Sequence, residues 1–309
     1  MKRSDPFANL SLTPATATAI IVVTAFCFGL VPLFARELQA LGLNSPAIAL
    51  VRYLFSAAVM LPFLPRAREK RGEALMLAGA GLFMGLGWVG YLEAVRHAPV
   101  AAAGVVYMSY PLFAVLFAWL LAGQKLGVRA LGAGSLVLLA AGLVLDPSTL
   151  TDGAVAALLW SLPAPVGFGL IIVVLSALVR RLAVLERMAC SMLGALIGLA
   201  PLTLSRTSLA DIPLGGEALA LIAGLGLVTA LIPQLLYTIA APMVGAARSA
   251  AAGSVELPTM FAIGWLAFGE SIGPREWIAA ALVISAVLLS PAVRPKRDAG
   301  DLLAQRQPV

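Results

Sequence analysis

YLEAVRHAPVAAAGVVYMSYPLFAVLFAWLLAGQKLGVRAL, residues 91–131, and YTIAAPMVGAARSAAAGSVELPTMFAIGWLAFGESIGPREW, residues 237–277, are two versions of one pattern. A constant offset of 146 (237 minus 91) sets Tyr91 on Tyr237, Ala101 on Ala247, Gly123 on Gly269 and Arg129 on Arg275. Each copy carries an apolar stretch of about 20 residues, the length a helix needs to cross a hydrocarbon core at about 1.5 Å per residue. A weaker echo relates Phe28-Gly29 to Trp160-Ser161. The chain therefore reads as a duplicated membrane unit.

Outward from these copies the same texture continues. Apolar runs fall at about 15–35, 46–64, 74–95, 99–122, 128–145, 154–178, 188–204, 217–240, 243–268 and 276–292. Of 309 residues, 61% are hydrophobic and 12% charged, against roughly half and a quarter in soluble domains. A soluble protein of this composition would lack polar groups for a surface. The first run is too long for the core of a signal peptide. Cys27 and Cys190 both lie in apolar runs and read as small buried hydrophobes.

The net charge of +6 serves orientation rather than nucleic acid. With the N-terminus in the cytoplasm, inside segments hold fifteen Lys and Arg, from Lys2 and Arg3 through the Arg66–Arg71 cluster to Arg306. Outside loops hold four, Arg36, Arg96, Arg206 and Arg275, while Arg52 and Arg248 lie in or beside spans. Excess positive charge marks the cytoplasmic side. The expectation is an all-α integral membrane protein, multi-pass in the cell inner membrane, with both termini cytoplasmic. A cytoplasmic segment 1–14 precedes a first repeat over 15–145 and a second over 146–292, and a basic cytoplasmic tail follows at 293–309. Each repeat holds five helices, ten in all. Five is odd, so the second repeat enters the membrane inverted, an arrangement that places a substrate site near the midplane between the halves.

Other marks now carry a family resemblance. They are Arg52 near the start of the second run, Pro111-Leu112-Phe113 in the fourth, and Gly269-Glu270 closing the ninth, with Glu256 and Pro258 in between. In this order and spacing the chain resembles the drug/metabolite transporter superfamily, specifically its EamA-type members with two five-helix repeats. Leu257 separates Glu256 from Pro258 where the family pairs Glu with Pro, and Gly123-Gln124 stands where Gly-Glu is usual. The resemblance implies secondary transport by alternating access, commonly export of amino acids or related metabolites. Some relatives translocate lipids or lipid-linked sugars instead, which would call for a side opening toward lipid.

Candidate substrate-binding residues follow from cost and spacing. A charge at membrane depth costs at least ~2.5 kcal/mol on insertion scales, so it faces a cavity or a partner. Glu256 lies near the centre of its run. It either binds a substrate ammonium or takes up a coupling proton, or it is a structural group paired with Arg52 or hydrogen-bonded to a neighbouring helix. Arg52 can grip a carboxylate through two parallel hydrogen bonds or snorkel to the nearby surface. Arg248 reads as a snorkelling anchor. Trp88 and Tyr91, and likewise Tyr107 and Tyr110, are three apart and share a helix face. Gln234 and Tyr237 take the places of Trp88 and Tyr91 in the second half, and Trp160 matches Phe28 in the echo. These residues line a pocket or, on the plainer reading, pack helices and form an interfacial belt.

Pro163 and Pro165 interrupt the sixth run, Gly29 and Pro32 the first, Pro111 the fourth and Pro258 the ninth. Each proline frees a carbonyl and marks a hinge or a binding region. Gly81-x-x-x-Gly85 and Gly194-x-x-x-Gly198 permit close helix packing. Enzyme signals are weak. Gly269-Glu270-Ser271-Ile272-Gly273 matches a nucleophile elbow without its strand-turn-helix context. A single histidine, His97, excludes zinc-protease spacing, and no Walker A motif is present. No catalytic residue, metal or cofactor is expected; the partners are a small-molecule substrate, a coupling proton and membrane lipid.

Overall fold

The computed structural model describes residues 7, 12–125, 127–144, 150–208, 212, 213 and 215–289. The tail 293–309 and most of segment 1–14 lie outside the described residues. Among the described residues the regular structure is helical throughout. The helices are α1 (Pro14–Ala40), α2 (Ser45–Phe63), α3 (Arg68–His97), α4 (Val100–Ala122), α5 (Val128–Val144), α6 (Asp152–Leu178), α7 (Val184–Leu204), α8 (Gly216–Val244), α9 (Ala246–Phe268) and α10 (Pro274–Leu289). Eight of these, α1–α4 and α6–α9, are long and apolar enough to cross a membrane. α5 is a shorter apolar helix of 17 residues, and α10 has 16.

Polar caps set several starts. Thr13, Asn44 and Thr151 each accept a hydrogen bond from the backbone N–H three residues on, and Pro14 and Pro46 sit in the first turn where no donor is needed. α4 and α9 stop in the same way. Gly123 (φ 61°) and Gly269 (φ 68°) turn left-handed, and the next N–H returns to the carbonyl six residues back: Gln124 to Ala118 at 3.0 Å, Glu270 to Gly264 at 2.9 Å. A side chain resists this φ, which is why glycine stands at both ends.

Several helices are interrupted midway. α1 breaks at Leu30 before Pro32, α4 at Met108–Ser109 before Pro111, α6 at Ser161–Leu162 before Pro163, and α9 at Ser254–Val255 before Pro258. α6 ends in, and α8 contains, a wide π turn, at Val174–Leu178 and Leu227–Leu231. Packing joins the first five helices to the last five: α3 lies along α6 and α7, α4 along α6 and α9, α1 along α8 and α9, α2 along α7, and α5 along α10. Glycine makes the α3–α7 seam tight. A Cβ at Gly85 would stand 2.9 Å from the Cα of Ala195, and one at Gly198 3.0 Å from Leu82 Cγ.

Candidate functional site

Seven aromatic rings from five helices form one buried chain. Arg52 lies over Trp88 at 3.9 Å to the ring centre. Trp88 meets Tyr91 at 5.0 Å and Tyr107 at 5.6 Å, and Tyr107 meets Tyr110 at 5.4 Å. Tyr110 stands edge-on to Phe168 at 4.8 Å, and Phe168 reaches Phe28 and Tyr237, each at 6.1 Å. Each such pair contributes ~0.5–1.5 kcal/mol beyond its burial. Every one of these side chains is buried.

Arg52 does not snorkel: it is 2% exposed. The cause lies across the fold in α8. Pro233 has no N–H, so the carbonyl four residues earlier, that of Thr229, lacks its helical partner. Arg52 Nη2 donates to that carbonyl at 2.6 Å and Nε to Thr229 Oγ1 at 3.2 Å, while Nη1 reaches Tyr53 Oη at 3.3 Å. A desolvated guanidinium over indole adds ~2 kcal/mol. The cation is thus held by neutral groups and a π face.

Glu256 is fully buried, and neither carboxylate oxygen has a hydrogen-bond partner among the described residues. It opens the second part of α9 just after the break, where helix N–H groups favour a negative charge. Arg52 and the hydroxyls of Tyr91, Tyr107, Tyr110 and Tyr237 lie within electrostatic range. No ion pair joins Glu256 to Arg52 among the described residues, so the structural pairing expected as one alternative is not formed.

The break in α9 is gripped on two sides. At Gly29 a Cβ would meet Thr259 Cβ at 2.5 Å and the Glu256 carbonyl at 3.1 Å; at Gly104 it would meet Met260 Sδ at 2.7 Å. Tyr91 Oη contacts Met260 Sδ at 3.7 Å, and Tyr110 Oη donates to the Ala250 carbonyl at 3.1 Å. Gln234 is buried on α8, one turn before Tyr237. Trp160 is not part of the cluster. Its backbone lies against Gly90 while its side chain is 76% exposed on the outer face. Pro163 and Pro165 lie in the first turn of the second part of α6; Pro258 lines an apolar groove between α9 and α10 with Phe261, Trp265 and Trp277.

Away from the rings, polar ties join early and late helices. At one end Arg36 pairs with Glu270 at 3.0 Å, donates to the carbonyls of Val95 and Ala98, and covers the Phe268 ring at 4.4 Å. The same Glu270 oxygen accepts from Val100 N–H at 3.0 Å. At the other end Lys70 pairs with Glu186 at 2.7 Å, and Glu73 accepts from the N–H groups of Arg180 and Arg181. Arg248, there too, donates to Thr18 Oγ1 at 2.9 Å.

Sequence reading missed Phe168, Thr229 and Arg36. Pro233 was the available signal for Thr229, since proline names the carbonyl it frees. Phe168, between Gly167 and Gly169, had no comparable mark.

The EamA-like transporter family model matches the chain twice, over residues 15–146 and 155–290. The chain belongs to the EamA-like transporter family. As an EamA-like transporter it is a multi-pass membrane protein of a transport family rather than an enzyme family. It is 28% identical over 295 residues to a riboflavin transporter of Rhizobium johnstonii, covering 91% of this chain and 93% of that protein. It is 26% identical over 273 residues to an uncharacterized transporter of Archaeoglobus fulgidus, covering 88% and 95%. A crystal structure 17% identical in sequence superposes with a TM-score of 0.68 over 94% of this transporter and 98% of its own chain, a likeness of fold.

Proposed function

We propose that this EamA-like transporter exports amino acids or related small metabolites across the inner membrane by alternating access, without ATP. Ten spans form two inverted halves, 15–145 and 146–292, with both termini in the cytoplasm. The halves rock about the aromatic cluster, and the Arg36–Glu270 and Lys70–Glu186 ties open in turn on the outer and inner sides.

One observation carries this reading: a buried cation and a buried carboxylate, unpaired with each other, flank rings drawn from both halves. A zwitterion with an apolar or aromatic body matches all three. Arg52 takes its carboxylate through charge-assisted hydrogen bonds, Glu256 takes its ammonium or a proton, and the rings take its body. The substrate then supplies a carboxylate to Arg52, otherwise held by neutral groups, and a partner to Glu256. Trp88, Tyr91, Tyr107, Tyr110 and Tyr237 form the lining, with Gln234 on the α8 side; Gly29, Pro32, Pro111, Pro163, Pro165 and Pro258 mark the hinges.

The test is amino-acid release. Cells expressing the protein are loaded with dipeptides, and the free amino acids appearing outside are measured against empty cells. Faster release of one or a few amino acids supports export; equal release of all of them removes it.

A second reading comes from the Rhizobium relative. A row of π faces also suits the flat ring system of riboflavin, and transport of labelled riboflavin by cells that release no amino acid would favour it.

A further inference from the structure

Phe168 is the hub of the cluster, and its position has a local cause. Gly167 presses on α3, where a Cβ would stand 2.8 Å from the Cα of Met84. Gly169 presses on α4, where a Cβ would stand 2.7 Å from Phe113 Cβ and 2.8 Å from the backbone N of Ala114. Successive helical residues point about 100° apart, so the residue between these glycines faces neither contact directly, and its ring meets α4, α1 and α8. Pro163 and Pro165 start this part of α6, which lets it turn onto both helices. Phe168 therefore delivers one ring, 4% exposed, to the middle of the site. There it meets Tyr110, Tyr107, Phe28 and Tyr237 at 4.8, 5.7, 6.1 and 6.1 Å, rings from α4, α1 and α8.

Three rings of the cluster are tied down. Tyr110 is bonded to the Ala250 carbonyl, Tyr91 to Met260 Sδ, and Trp88 is covered by Arg52. Phe168 has no polar atom, so moving it breaks no hydrogen bond and leaves no orphaned donor. Among the described rings it is the apolar one that lies against Tyr107, Tyr110 and Tyr237 together.

We propose that Phe168 is a resident stand-in for the substrate's ring: it fills the space between Tyr107, Tyr110 and Tyr237 in the empty transporter, and a ring of the substrate takes its place. The inference rests on the reading of the central cluster as the substrate site. It makes Phe168 a specificity-determining residue, an internal competitor for ring-bearing solutes. A side chain that occupies the site in about nine molecules of ten weakens apparent affinity about tenfold.

The experiment compares wild type with Phe168→Ala and Phe168→Leu in proteoliposomes, using labelled phenylalanine, tryptophan, alanine and riboflavin. The expected result is a KM for the ring-bearing probes that falls up to about tenfold in Phe168→Ala, with an intermediate fall in Phe168→Leu. The KM for alanine stays level or rises, because alanine gains nothing from the vacated space. A merely structural role lowers Vmax for all probes together; unchanged KM ratios between ring-bearing probes and alanine overturn the proposal. Should Phe168→Ala fail to fold, Phe168→Leu keeps most of the apolar volume and decides the matter. Wild type that moves none of the probes removes the reading of the site, and with it the role of the ring.

Discussion

The breaks in α4 and α9 occupy matching places in two related sequences, and they differ in what they carry. At 107–111 the chain reads Tyr-Met-Ser-Tyr-Pro, and at 253–258 Gly-Ser-Val-Glu-Leu-Pro. At the offset of 146, Tyr107 faces Gly253 and Tyr110 faces Glu256. In α4 both positions are rings that build the wall of the cluster. In α9 one position has lost its side chain, which leaves the room that Tyr110 Oη enters to reach the Ala250 carbonyl. The other is a carboxylate with both oxygens unbonded among the described residues. The interrupted helix occurs twice, and at these positions one copy presents rings and the other a glycine and a carboxylate. The caps differ in the same sense, since Gly123 is followed by Gln124 but Gly269 by Glu270, which joins Arg36.

Removing the charge from α9 breaks this contrast most severely. Glu256→Gln keeps the shape and takes away the charge proposed to hold an ammonium or a proton. Transport in proteoliposomes should fall about a hundredfold, the loss of ~2.7 kcal/mol of interaction, and imposed pH gradients should cease to drive it. Normal transport by this variant at every pH would remove Glu256 from the mechanism.

Filling the vacant position comes next. Gly253→Ala places a Cβ 2.5 Å from Tyr110 Oη, and overpacking of this kind costs about 1–3 kcal/mol. The purified variant should melt several degrees below wild type, and Gly253→Ala combined with Tyr110→Phe should recover part of the loss. Equal melting temperatures for Gly253→Ala and wild type would show that the break in α9 has slack.

Making the second cap resemble the first has the smallest effect. Glu270→Gln breaks a partly exposed ion pair worth up to ~1 kcal/mol, a shift of about fivefold between closed and open forms of that end. A cysteine placed at Ala98 should react faster with an impermeant maleimide in Glu270→Gln than in its parent. An unchanged rate would mean that the remaining bonds of Arg36 hold this end alone.

Much of this is legible in the sequence. The apolar runs, the helix interruptions and the buried carboxylate are local properties of the chain. Trp88, Tyr91, Tyr107 and Tyr110 shared faces by spacing, and all four joined the cluster. Trp160 shows where such reading stops. Its match to Phe28 was one of position in a run, and a run says nothing about which side of the helix meets protein and which meets lipid. Arg52 shows the same limit for depth: near a helix end it had two destinations, and only a carbonyl freed 177 residues away decided between them.

The sequence by itself determined a chain of membrane-length helices, doubled, with breaks at prolines and one acidic group deep in an apolar run, because hydrophobic length and missing donors act within a single segment. The tertiary structure alone decided which rings meet, that Arg52 turns inward, and that Phe168 reaches the centre. Those outcomes depend on how closely distant helices approach, and glycine at the seams and Pro233 on α8 set that approach across the fold rather than along the chain.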